Sequence, residues 1–248
     1  MNMNMIDKRL PLALASALLL SSPSILHAQS MSFGGSPGSF TNFNFPIISP
    51  SFSRHVLNIA RNDKVSATPP SNAPVDLSVG SDAALSARAR ASFMADINRG
   101  ANNALVRGIA DSFNHRNVRS QFGEAIAPYG LRETDLADIC AAYYVAMWMI
   151  ANQSVLPNRA QVQAVSRQIH GLLIEQGAHV DVVQRQLGAE EIMYKTVWAI
   201  DLRQQTQASG DEQIRQQFAD VVWNMFKQQQ DLDLRALLLT DKGFMPKK

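Results

Sequence analysis

The chain has 248 residues, and 23 Lys and Arg stand against 21 Asp and Glu, which gives a formal net charge of +2. No basic cluster stands out beyond the first ten positions. This argues against a nucleic-acid partner, because tight binding to phosphates needs a basic stripe. The single cysteine, Cys140, cannot form an intramolecular disulfide, so the core must hold the fold.

The first 28 residues have the three parts of a cleavable bacterial-type signal peptide. Lys8 and Arg9 give a positive start, the apolar run Leu10–Leu20 follows, and Ala28 is a small residue that suits signal peptidase. We therefore expect cleavage after Ala28 and export to the periplasm or the medium. The alternative is an uncleaved anchor, but the apolar run has only 11 residues, whereas a spanning helix needs about 20.

Residues 29–80 are rich in Ser, Pro, Asn and Gly, and no charged residue occurs between Gln29 and Arg54. Such a segment buries too little apolar area to offset the entropy of ordering, so it predicts a flexible linker. The alternative is that its phenylalanines dock onto the folded domain or onto a partner. These are Phe33, Phe40, Phe43, Phe45 and Phe52.

From about Asp82 onward, helix-forming residues dominate and Pro nearly disappears, which predicts a single all-α, bundle-like domain over residues 81–245. No run of alternating β-branched residues is present, so we expect no sheet. Helices are predicted from Ser81 or Asp82 to Ile97, Asn103 to Phe113, Arg116 to Ala127, Glu133 or Thr134 to Asn152, Asn158 to Gly177 and Asp181 to Gln207. A Ser209–Glu212 capping box predicts a further amphipathic helix, and Asp233 is expected to cap a last turn through Leu239.

The helix predicted to end at Asn152 is the most apolar in the chain. Its strictly apolar part, Ile139–Ala151, has about 13 residues, which fits a buried core helix better than a membrane span. We expect it at the centre of the domain, with no stable membrane insertion once the signal is removed. Cys140 lies within it and is expected to be structural, because nothing nearby would stabilise a thiolate.

Several short helical patterns occur between residues 80 and 205. They are Gly130-Leu131, Asp135-Leu136-Ala137-Asp138, Ala142-Tyr143, Trp148, Ala151-Asn152, Gln161-Val162, Val165-Ser166-Arg167-Gln168, Gln186 and Glu190. In these patterns the chain resembles a family of exported bacterial proteins of unknown function with an all-helical domain. The resemblance implies a compartment and an architecture, and it carries no catalytic residue over to this chain.

The common catalytic signatures are absent from the sequence. There is no Gly-x-Ser-x-Gly, no Gly-rich phosphate loop and no His-Glu-x-x-His. No two histidines are three or four residues apart, and no Glu-x-x-His pair exists, as a di-iron bundle would need. We therefore expect neither a metal nor a cofactor.

Four titratable side chains remain as weak candidates for chemistry: Glu190, Glu191, Asp201 and His170. On its predicted helix Glu190 lies on the apolar side, and Asp201 lies further along the same side. A buried carboxylate must be paired or hydrogen-bonded, and Arg167 and Gln168 of the preceding helix are the expected partners. The favoured interpretation is a structural ion pair that fixes helix register, and the alternative is a pocket acid or base.

Two classes of function stay open. The leading one is a non-enzymatic binding domain with a protein partner, or a homo-oligomer formed through the amphipathic helix Ile214–Phe226, although core packing is the simpler use of that face. The other is a periplasmic enzyme, such as a hydrolase of cell-envelope material, built on carboxylates such as Glu190. An enzyme requires the candidate groups to converge in one cleft.

Overall fold

The computed structural model describes residues 75–100, 108, 111–175 and 181–247. These residues are mostly helical, which confirms the all-α prediction. The predicted signal peptide, the linker up to residue 74 with its phenylalanines, and most of the predicted helix Asn103–Phe113 lie outside the described residues.

Six α-helices and one short hairpin make up the described part of the chain. The helices are α1 (Ala83–Gly100), α2 (Val118–Ile126), α3 (Leu136–Ala151), α4 (Arg159–Glu175), α5 (Val182–Ala208) and α6 (Glu212–Gln229). Short 3-10 helices lie at Phe113–His115, Ala127–Tyr129 and Leu234–Ala236, and the hairpin strands are β1 (Leu237–Thr240) and β2 (Gly243–Pro246). α3 packs against α4, α5 and α6, while α5 also packs against α1 and α2.

Polar side chains set where the helices begin. Asp82 and Asp181 each accept hydrogen bonds from two amides of the first helical turn, which confirms both predicted caps. Asn158 accepts from the amide of Gln161, and the Gln161 side chain accepts from the Asn158 amide in return. This reciprocal pair is a capping box and confirms the predicted start of α4.

Three other predicted starts are wrong by one or two residues. α2 was predicted from Arg116, but it begins at Val118 because the Asn117 side chain caps it. α3 begins after Asp135 and not after Glu133 or Thr134, because the Asp135 carboxylate accepts the first free amides of the helix. α6 begins after Asp211, whereas Ser209 caps the C-terminus of α5. Neighbouring capping residues compete for the same amides, and sequence spacing does not say which one wins.

α3 is the centre of the domain. Every residue from Leu136 to Ala151 is buried except Ala142 and Trp148, which confirms the prediction of a core helix. Burial raises the pKa of the Cys140 thiol to about 12, so it is protonated at neutral pH. None of the helices in the described ranges combines the length and apolarity that crossing a membrane requires.

The amphipathic face of α6 is turned into the core. The ring centroids of Tyr143 and Tyr144 each lie 5.7 Å from that of Phe226. The Tyr144 hydroxyl donates to Oε1 of Gln230, just past the end of α6, at 3.1 Å. The face that the sequence offered as an oligomer interface is therefore a core surface.

The C-terminus forms a hairpin, so the expectation of no sheet and of a helical turn through Leu239 is wrong there. Asp233 does cap a 3-10 turn, but β1 then pairs antiparallel with β2. Leu237, Leu239 and Phe244 are buried, whereas Leu238 faces outward. Four-residue strands are too short to show an alternation that a sequence pattern can detect.

Gln168 of α4 holds this hairpin in place. Its side-chain amide donates to the carbonyl of Phe244 at 3.3 Å and accepts from the amide of the same residue at 3.0 Å, as a neighbouring strand would. Gly243 adopts a φ of 97°, and a Cβ there would lie 2.6 Å from Oε1 of Gln168. The backbone conformation therefore favours glycine at this position, and a larger residue would also displace the Gln168 side chain from the hairpin.

Residues 75–80, which composition assigned to the linker, lie against the helical domain, and we term them the strap. Leu77 and Val79 are buried, while residues 76, 78 and 80 are exposed, which is the alternation of a β-strand. The amide of Val79 donates to the carbonyl of Thr134 at 2.8 Å, and the amide of Leu136 donates to the carbonyl of Leu77 at 2.9 Å. The ordered domain thus includes residues before the predicted boundary at residue 81.

Candidate functional site

Glu190 on α5 is buried, as the apolar side of its helix predicted, with only 3% of its surface exposed. Three donors meet on its Oε1 atom: Ser86 Oγ at 2.6 Å, Gln186 Nε2 at 2.9 Å and Arg119 Nη1 at 3.2 Å. We term these four residues the Glu190 cluster. The donors come from α1, α5 and α2, so the cluster joins three helices.

The partners predicted for Glu190 are wrong. Arg167 is exposed on α4, and Gln168 binds the backbone of β2. The reason is the order of the helices in space, since α4 packs on α3 and the hairpin, whereas α5 packs on α1 and α2. The prediction assumed that the neighbour in sequence is the neighbour in space, and here the arginine comes from α2.

The Glu190 cluster also holds the backbone that leads into α1. Gln186 donates through Nε2 to the carbonyl of Asp82 at 2.9 Å and accepts from the amide of Asp82 at 3.1 Å. Arg119 donates to the carbonyl of Gly80 at 2.6 Å. The buried Glu190 carboxylate has a guanidinium and two further hydrogen-bond donors, so its hydrogen-bonding capacity and its charge are both compensated. This geometry is typical of a structural ion pair that holds helices together.

Glu191 lies about 100° around α5 from Glu190 and so faces a different neighbour. It lines a groove between α1 and α5 with a volume of about 360 Å³, whose polar lining also includes Arg88, Ser92 and Gln184. The groove is shallow, its lining includes both polar and apolar side chains, and it is separate from the Glu190 cluster.

Lys195 is a buried cation that the sequence analysis did not single out. Its Nζ lies 3.8 Å from Oε2 of Glu191, one turn earlier on α5. Burial lowers the pKa of the Lys195 ammonium, and the carboxylates of Glu191 and Asp96 oppose this shift. A glutamate four residues before a lysine is a recognised helix pair, but the spacing alone does not say that the lysine is buried.

Asp201 forms a separate ion pair near the other end of α5. Its Oδ2 accepts from Nη1 of Arg116 at 2.5 Å, and the Arg116 guanidinium also lies over the Phe113 ring, 4.8 Å from its centroid. Burial raises the pKa of Asp201, and the hydrogen bond and charge of Arg116 offset this only in part.

We expect Asp201 to make the protein more stable as the pH falls below neutrality. Its pKa is higher in the folded state than the ordinary 3.8, so the folded state binds the proton more tightly than the unfolded chain does. Stability therefore rises as the pH drops through the folded pKa and levels off below 3.8. In Asp201→Asn this contribution is absent.

Urea unfolding at several pH values between about 7 and 4 measures this difference. Asp241→Asn is the control, because Asp241 is exposed in the turn of the hairpin. An Asp201→Asn variant with the same pH slope as the wild type would contradict the assigned effect of burial.

The four sequence candidates do not come together in one site. Glu190 and Asp201 are eleven residues apart on α5, which is about 16 Å along the helix axis. Glu191 lines a separate groove, and His170 is exposed on α4. Within the described ranges, no three His, Cys, Asp or Glu side chains are grouped as a metal site needs.

The loop between α3 and α4 exposes two large apolar side chains. Val155 is 83% exposed and Leu156 is 51% exposed. Pro157 follows and restricts the backbone of Leu156 to extended conformations. No sequence pattern indicated these exposed side chains, because exposure is a property of the packed structure.

Both ends of this loop are anchored. At the end of α3, the amides of Gln153 and Ser154 donate to the carbonyls of Ile150 and Met149, and Gln153 adopts a φ of 48° where glycine is usual. Arg203 of α5 donates to the carbonyl of Ser154 at 2.9 Å. The capping box of α4 holds the other end, so the two apolar side chains sit on an ordered support.

No family model matches the chain, and comparisons with curated proteins and with solved structures found no match either.

Proposed function

We propose that the chain is an exported protein whose helical domain binds a protein partner and does not catalyse a reaction. The observation that carries this proposal is the α3–α4 loop, where Val155 and Leu156 stay exposed on an anchored support. Two apolar side chains held in water do not stabilise the isolated domain. A partner pocket that covers them gains apolar burial, and little further ordering of the loop is needed.

The signal-like sequence over residues 1–28 supports export. The enzyme alternative has less support, since Glu190 and Asp201 are each engaged in a separate ion pair. Cell fractionation and N-terminal sequencing test export, and an unprocessed chain in the cytoplasm would contradict it.

The variant Val155→Ser/Leu156→Ser is expected to bind the partner at least about tenfold more weakly than the wild type, because each aliphatic side chain that a partner fully buries contributes about 1.5–3 kcal/mol. Both chains are immobilised and incubated with the same envelope extract. A protein that the wild type enriches over the bare support is identified, purified and titrated against both chains. The fold should be unchanged, which circular dichroism checks.

The matched control is Val182→Ser. Val182 is 57% exposed at the start of α5, so this change removes the same kind of surface at another place. It should leave the affinity for the purified partner unchanged. A partner that binds the wild type and the double loop variant equally well would refute the assignment of the loop.

A further inference from the structure

Two arginines of the helical domain hold the strap by its backbone. Arg185 is only 5% exposed and donates to the carbonyl of Asp76 and, at 2.7 Å, to the Asp76 carboxylate. Arg119 donates to the carbonyls of Gly80 at 2.6 Å and Val79 at 3.4 Å. Main-chain contacts combined with burial of every second side chain are the means by which domains bind extended peptides.

The surface of the helical domain that the strap covers, which we term the strap groove, also restricts which sequence fits. Leu77 and Val79 are the buried positions, and the exposed Asp76 carboxylate meets Arg185. At Gly80 a Cβ would lie 2.9 Å from Oε1 of Gln186, so the backbone approaches this side chain closely. The strap thus presents an acidic residue, an apolar residue, an exposed residue, an apolar residue and glycine to this surface, in that order.

The strap does not use every donor that the groove offers. The Nε atom of Arg185 is buried and has no hydrogen-bond partner among the described residues. A buried donor without an acceptor is unfavourable. A peptide whose acidic side chain reaches this atom would form a bond that the strap does not form.

We propose that the strap groove is a peptide-binding site that the strap closes within its own chain, and that its ligand is an extended segment of another protein with the same acidic–apolar–any–apolar–glycine pattern. The strap meets the start of α3, whereas the α3–α4 loop follows its end. The groove and the loop are thus separate surfaces, and this inference does not rest on the proposed function.

The strap is held by few interactions and can open separately from the helices. Among the described residues, besides the arginine contacts, it has two buried apolar side chains, the partly buried Val75 and two main-chain hydrogen bonds to residues 134–136. Because the strap is part of the same chain, it competes with a free peptide at an effective concentration on the order of millimolar. An external peptide is therefore expected to bind weakly until the strap is released.

The full-length variant Leu77→Ser/Val79→Ser releases the strap, and the probe is a fluorescein-labelled peptide with the sequence of residues 74–82. Fluorescence anisotropy should show that the variant binds this peptide at least about tenfold more tightly than the wild type does. Adding Arg185→Gln to the released variant should remove that gain. The control peptide carries Ser in place of Leu77 and Val79 and should not bind.

Three results would overturn the proposal. The first is a released variant that is folded but does not bind the peptide. The second is a control peptide that binds as well as the probe. The third is a variant that forms dimers in light scattering and does not bind the peptide, which would assign the groove to a second copy.

If circular dichroism shows that the released variant is unfolded, hydrogen exchange of the wild type decides. The Val79 amide should then exchange roughly 100-fold faster than the Val145 amide in the middle of α3, and equal rates would overturn the proposal.

Discussion

Replacing Glu190 with alanine is expected to lower the free energy of unfolding by about 3 kcal/mol, because removing one partner of a buried ion pair leaves the other charge uncompensated. In Glu190→Ala, Arg119 loses its carboxylate, and Ser86 and Gln186 lose an acceptor. Urea unfolding followed by circular dichroism measures the change as a lower midpoint at an unchanged slope.

Two further variants make this experiment specific. Glu190→Gln keeps an oxygen for the same donors and should cost less, about 1–2 kcal/mol. Glu124→Ala, at an exposed position on α2, should change stability by no more than about 0.5 kcal/mol. If Glu190→Gln keeps the wild-type stability but loses binding of the native partner, the Glu190 cluster is a ligand pocket and the structural role is wrong.

Phe226→Ala is expected to lower the free energy of unfolding by about 3–5 kcal/mol. Phe226 is fully buried, and its ring packs against those of Tyr143 and Tyr144. Its removal leaves a cavity between α6 and α3 that these rings can fill only by leaving their packed positions. Thermal and urea unfolding of the variant measure the loss.

The control is Asn224→Ala, because Asn224 is exposed on the same helix and its replacement should change stability by less than about 0.5 kcal/mol.

The experiment also tests whether the apolar face of α6 packs in the core or forms an oligomer interface. If its apolar face were an oligomer interface, the unfolding midpoint would depend on protein concentration, and light scattering would show dissociation of Phe226→Ala. Core packing predicts a midpoint that is independent of concentration.

Local patterns were enough to predict most of the helical framework. The caps at Asp82, Asn158 and Asp181 and the central place of α3 were predicted correctly, because a cap is decided within one turn and an all-round apolar helix can only be buried. Where two capping residues lie close together, as at Asp135 and Asp211, the same reasoning misplaced the start.

The candidate site was predicted only in part. The apolar side of α5 placed Glu190 inside, but its partners were expected on α4, which lies next in sequence. Burial of Lys195 and exposure of Val155 and Leu156 had no sequence signal, because helical periodicity describes one helix and does not identify what packs against it.

The amino-acid sequence by itself determined the all-α class, three of the six helix starts and the inward direction of Glu190, because these depend on residues within a turn or two of one another. Only the tertiary structure decided which guanidinium meets which carboxylate, that the C-terminus pairs as a hairpin, and that the strap belongs to the domain. The Arg119–Glu190 and Asp76–Arg185 pairs join residues 71 and 109 positions apart. Contacts at such separations follow from how the helices pack, and no local pattern encodes them.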